Sequence, residues 1–172
     1  MDEYINCFGC GSKSLNIDGE THEYMLSSTG CWIMFCEVLE REYSDFNYAK
    51  AHHYTVDAYT TQHVGNENDV RAINSVNIHL ASLYMMFERN LDIIDAADFK
   101  MNFSQFYKGS GDLVWLEPPI SFGNLTIYEL WDNNNPELHF SLAEKWAKSV
   151  WNSWEKHHQT ISRLANNFLN KK

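Results

Sequence analysis

The chain has 172 residues, 44% of them hydrophobic and 15% aromatic, enough to bury a sizeable core and too apolar to stay disordered. Its formal net charge of −10, with no cluster of Lys and Arg beyond Lys171-Lys172, argues against a nucleic-acid partner. No apolar run is long enough to cross a bilayer, which argues against a membrane partner.

The first eleven residues, MDEYINCFGCG, are acidic and lack the apolar core of a signal peptide, so a cytoplasmic address is expected. There the four cysteines stay reduced, and metal ligation or burial is favoured over disulfides. One domain is expected over residues 1–172, divided into a metal-knuckle segment, 1–31, and a helical bundle, 32–172.

Cys7-Phe8-Gly9-Cys10-Gly11 reads as a short knuckle whose glycines let backbone N–H groups turn toward thiolates. His22 and Cys31 follow and complete a Cys3His set suited to tetrahedral zinc, so Zn2+ on Cys7, Cys10, His22 and Cys31 is the expected cofactor. The segment has few large apolar residues, and an ion would supply the missing stabilisation. Cys36 is a rival ligand, but its place in a helical pattern makes it a core residue. A redox-active Cys7-x-x-Cys10 pair would need a preceding strand and a following helix, and neither is visible.

From about Ser28, a possible cap with Thr29, the pattern turns helical. Trp32, Phe35, Cys36, Leu39 and Tyr43 form the inner stripe, while Glu37, Glu40, Arg41 and Glu42 face out. A second helix is expected from about Phe46 to His63, stopped by Gly65. His52, Val56, Tyr59 and His63 share one of its faces, and His53 and Asp57 pair on another. By the helical rise, His52 and His63 stand about 16 Å apart and cannot serve one ion.

Asn68 or Asp69 caps a third helix to about Arg89, with a stripe of Ile73, Val76, Leu80, Leu83 and Phe87 and His79 beside it. Asp92 to Tyr107 is a shorter helix. Lys108 to Asn124, with three glycines and Pro118-Pro119, is a long ordered loop that packs Trp115 and Leu116 across the bundle, as a lid or a plain crossover. Thr126 caps a brief helix from Ile127 to Trp131. Pro136 then opens the longest helix, to about Phe168, with Trp146, Trp151 and Trp154 as core and His157 in a core slot.

These elements give a mainly α fold: a bundle of about four main helices with a small zinc-knuckle-like segment and a long Gly/Pro loop. Histidines on buried faces of three helices allow a second site inside it. His63, Asp57, His79 and His157 are the candidate catalytic residues, with Asp57 accepting a hydrogen bond from an imidazole. One function class is a metal-dependent hydrolase or transferase. The other is a non-catalytic, zinc-stabilised structural or protein-interaction module. Expected partners are a small molecule or a protein, and the aromatic content leaves room for a homodimer.

Several blocks carry a resemblance. Cys7-x-x-Cys10-Gly11, His22-x-Tyr24-Met25, Ser27-Ser28-x-Gly30-Cys31-Trp32, Thr55-Val56-Asp57-Ala58-Tyr59 with Gln62-His63, Glu117-Pro118-Pro119 and Trp146-Ala147-x-x-Val150-Trp151 through His157-His158 resemble an uncharacterised family of small bacterial proteins, a domain of unknown function. Thr29 and Val64 stand where that family is expected to have proline. The resemblance covers nearly the whole chain and implies no established activity. A looser similarity is to damage-inducible-type helix bundles that hold a metal with histidines, and there the blocks match poorly.

Overall fold

The computed structural model describes residues 3–171. Two short strands, β1 (Tyr4–Asn6) and β2 (Lys13–Leu15), form an antiparallel hairpin in which Ile5 faces Ser14. The sequence reading has no strand here, because three-residue strands leave no periodicity to read. The knuckle is the loop of this hairpin, closed by the Cys7 N–H donating to the Ser12 carbonyl at 2.8 Å.

Helix α1 (Thr29–Ser44) starts at Ser28, whose hydroxyl accepts from the Cys31 N–H. Its buried face is Cys31, Met34, Phe35, Val38 and Glu42, about one residue rotated from the expected stripe. Cys36 is therefore exposed rather than core, and Tyr43 is 75% exposed. Glu42, expected to face out, is 1% exposed. The rotation follows from packing: Gly30 lies against β2, where a Cβ would stand 2.3 Å from the Leu15 carbonyl oxygen. That contact turns Cys31 and Met34 inward.

The expected second helix is two, α2 (Phe46–Ala49) and α3 (His52–Gln62). Helix α3 is buried nearly all round, packed by α4 (Val70–Glu88) on one side and α7 (Pro136–Ser153) on another. A helix buried on nearly every side shows little amphipathic pattern, and this one carries three threonines, Asp57 and Gln62 inward. Asp69 caps α4, and Asp92 caps α5 (Ile93–Tyr107), both as the residue types require. Helix α6 (Ile127–Trp131) begins with a complete capping box between Thr126 and Glu129.

The expected long last helix breaks. Helix α7 ends at Ser153, a 3-10 turn covers Glu155–His157, and α8 (His158–Leu169) follows. The apolar rhythm persists across the break, since Trp154, Ile161, Leu164 and Phe168 are all 3% exposed or less. The break redirects the chain, so that α7 packs on α3 while α8 packs on α4 and α5. The Trp154 indole N–H donates to the Thr61 carbonyl at 3.2 Å, and the His158 Nε2–H donates to the Trp151 carbonyl at 2.9 Å.

Between α5 and α6 the chain from Lys108 to Asn124 has no regular element. Leu116 is buried, and the Asn77 side-chain amide donates to the Val114 carbonyl at 2.8 Å. The loop then runs past the knuckle, where Gln62 donates to the Leu125 carbonyl at 3.0 Å and Thr126 to the Ser12 hydroxyl at 3.1 Å. Among the described residues no helix is long and apolar enough to cross a membrane.

Candidate metal centre

Four ligand-type atoms lie within 4.8 Å of one another: the sulfurs of Cys7, Cys10 and Cys31 and a ring nitrogen of His63. Cys7 and Cys10 come from the hairpin loop, Cys31 from the first turn of α1, and His63 from the residue that ends α3. A group of this composition and closeness can hold a metal ion.

Three of the six separations have the length of tetrahedral edges. Cys10 and Cys31 Sγ are 3.8 Å apart, and His63 Nε2 is 3.7 Å from Cys7 Sγ and 3.6 Å from Cys31 Sγ. Tetrahedral zinc, with bonds of about 2.3 Å to sulfur and about 2.0 Å to nitrogen, sets S···S edges of about 3.8 Å and S···N edges of about 3.5 Å. A disulfide would require sulfurs about 2.05 Å apart, and the cysteines are free.

The surroundings aim the donors. The His63 Nδ1–H donates to the Tyr59 carbonyl at 2.7 Å, which leaves the Nε2 lone pair pointing at the sulfurs. The Ser28 N–H donates to Cys7 Sγ at 3.3 Å, and the Tyr59 hydroxyl lies 3.8 Å from Cys31 Sγ. Cys31 sits where the α1 dipole favours a thiolate. Gly9 leaves room for the ring, since a Cβ there would stand 2.7 Å from His63 Cδ2 and 2.3 Å from the Leu26 carbonyl oxygen.

The protons on the bare sulfurs divide unevenly. Hydrogen bonds from Cys10 and then Cys31 pull the Cys7 thiol far below its ordinary value, against the cost of burial. For Cys10 the contact with Cys31 favours the thiolate, but Cys7 and burial outweigh it and push the thiol up to about 12. Its contacts with Cys10 and Cys7, together with burial, raise Cys31 strongly. Three sulfurs this close cannot all be anionic without a cation among them, and a dication reverses that balance.

The structure thus brings Cys7, Cys10 and Cys31 together with His63 and not with His22. His22 is half-buried outside the cluster, its Nδ1 accepting from the Tyr24 N–H at 3.4 Å and its ring edge-on to Tyr24 and Trp32. The reason is topological: the knuckle turns back onto the end of α3, a residue 32 positions beyond Cys31. The signal for His63 was its position at the C-terminal end of a buried face just before Gly65, where an imidazole has no apolar role.

The other histidines go elsewhere. His79 Nδ1–H donates to Asp57 Oδ1 at 2.6 Å, the imidazole–carboxylate contact expected of Asp57. Lys100 Nζ lies 2.5 Å from the same oxygen. Burial disfavours the Asp57 anion most strongly, but Lys100 and His79 together hold its carboxyl well below the usual range. His157 is not in the core: its Nε2–H donates to the Glu117 carbonyl at 2.9 Å on the long loop. His52 is half-exposed between Tyr43 and Glu42. A polar group unread in the sequence lies between α1, α3 and α7, where buried Glu42 accepts from Thr55 at 2.6 Å and from His139 Nε2 at 2.8 Å.

A cleft of about 780 Å³ opens beside the metal centre. Cys7 to Gly11 form one wall and residues 118–124 of the long loop the other, with Gln62 between them. Comparisons with curated proteins and with solved structures find no match. The family model described as a family of unknown function, DUF5946, matches residues 5–155, and the chain belongs to that family.

Proposed function

We propose that Cys7, Cys10, Cys31 and His63 hold one zinc ion, and that the ion is a clasp for the fold. The observation that carries this reading is the grouping of three sulfurs and one ring nitrogen within 4.8 Å of one another, with three of their six separations, 3.6 to 3.8 Å, close to the edges that tetrahedral zinc sets. The four donors come from three separate stretches, so one ion ties the hairpin to α1 and to the end of α3. Four protein donors fill the tetrahedron and leave no position for a water, which is the arrangement of structural rather than hydrolytic zinc. The chain then acts as a zinc-stabilised helical module that recognises a small molecule or protein. A reducing compartment such as the cytoplasm suits three free thiols at one site. The net charge of −10 opposes binding to nucleic acid.

Elemental analysis of untagged protein tests the proposal. One zinc per chain is expected, together with a large drop in melting temperature after strong chelation. Metal-free protein with melting unchanged by chelator would overturn it.

A further inference from the structure

Helices α3, α4 and α5 meet at a polar group that shares no residue with the metal centre. Asp57, its side chain fully buried, gives one oxygen, Oδ1, to two donors, His79 Nδ1–H at 2.6 Å and Lys100 Nζ at 2.5 Å. Its other oxygen, Oδ2, is buried with no partner. The side chains of His79 and Lys100 are each 17% exposed. His79 Nε2 bonds to nothing among the described residues and is not one of the buried atoms left unpaired, so this nitrogen meets solvent. Among the described residues no other imidazole joins a carboxylate on one nitrogen to an open second nitrogen. Both nitrogens of His52 are bonded, and the second nitrogen of His139 is sealed.

A carboxylate on Nδ1–H fixes the tautomer and puts the lone pair on Nε2. Burial lowers His79 from 6.5 against the pull of Asp57, and Lys100 adds to the lowering, so at neutral pH that lone pair carries no proton. Attack through Nε2 makes the ring cationic, and the buried Asp57 anion stabilises that charge. The Lys100 ammonium then selects the electrophile. It repels a metal ion and gives a neutral carbon no hold, but it can bind the oxygens of a phosphoryl group.

We propose that His79 Nε2 accepts a phosphoryl group from an acyl phosphate, with Lys100 as the anchor for the incoming oxygens and Asp57 positioning the ring. The Nε2 lone pair forms an N–P bond. The bond from phosphorus to the acyl oxygen breaks, and the carboxylate departs to solvent with the bonding pair. The Nδ1 proton stays on the ring, shared with Asp57. No zinc donor takes part, so this inference stands or falls apart from the zinc reading.

The test treats the full chain with acetyl phosphate at neutral pH and maps the label in alkali, where phosphohistidine survives. His22 and His53, partly exposed and with no carboxylate bonded to either ring, are the internal references. His79 should be labelled about tenfold ahead of both, and Asp57→Asn should slow its labelling about 10- to 100-fold. Diethyl pyrocarbonate, a neutral acyl reagent, should give His79 a smaller lead, because Lys100 offers it no hold. An equal lead with both reagents would overturn the phosphoryl assignment, and a folded Asp57→Asn that labels as fast as wild type would overturn the role of Asp57. Label spread evenly over the three histidines, or none on His79, would overturn the whole inference. Should Asp57→Asn fail to fold, the wild-type maps still decide.

Discussion

At the scale of single residues, the centre depends on groups that aim ligands as much as on the ligands. His63→Ala removes a nitrogen held by the Tyr59 carbonyl at 2.7 Å. We expect loss of stoichiometric zinc and of about 3 kcal/mol or more of stability. His22→Ala should keep the ion, because His22 packs on Tyr24 and Trp32 instead. Zinc content and denaturant melts of the two variants, side by side, check the assignment, and equal zinc loss in both would count against it. Gly9→Ala touches no ligand atom directly but puts a methyl group against the His63 ring and the Leu26 carbonyl. Its zinc affinity, measured by competition with a chelator, should fall about 10- to 100-fold, the usual cost of disturbing what orients a ligand.

At the scale of elements, the buried carboxylates join helices. Glu42 brings Thr55 and His52 of α3 and His139 of α7 onto α1, with both side chains of the Glu42–His139 pair fully buried. Glu42→Ala strands buried Thr55 and His139 away from water and should cost about 3–5 kcal/mol in urea unfolding. A loss under about 1 kcal/mol would show that the donors find other partners. Asp57 binds α3 to His79 of α4 and Lys100 of α5 in the same manner. Helix caps were legible where they are local: Ser28, Asp69 and Thr126, read as caps from the sequence, each bond a backbone N–H within three residues, as do Asp92 and Asn135, which the sequence reading did not single out. The break at Trp154 was not legible. An apolar rhythm that continues in register across a 3-10 turn looks the same in sequence as one unbroken helix.

At the scale of the whole molecule, the buried ionisable groups set its response to acid. Asp57 and Glu42 are both depressed in the fold; for Glu42 burial opposes this, and His139, His52 and Thr55 prevail. A depressed carboxylate contributes stability that is present above its unfolded value, 4.5 for Glu42 and 3.8 for Asp57, and is lost as pH falls through the folded value. Burial lowers His79 from 6.5, so the unfolded chain binds that proton first and stability again falls with pH. All three act in one direction, and chelator-treated protein should weaken progressively from about pH 6 downward. Melts of Asp57→Asn and Glu42→Gln should show a shallower slope below about pH 4.5 than wild type. An unchanged slope would place the acid sensitivity elsewhere. The sequence by itself determined the helical class, three of the caps, the tryptophan core and three of the four donors at the centre, because these follow from composition, short-range hydrogen bonding and the closeness of Cys7 to Cys10. Only the tertiary structure decided the fourth donor, the inward turn of Glu42 and the outward turn of Cys36. Helical periodicity says which residues share a face, but the direction of that face is set by what packs against it. Here those partners include α6 and, through His139 on Glu42, α7, both far away in the chain.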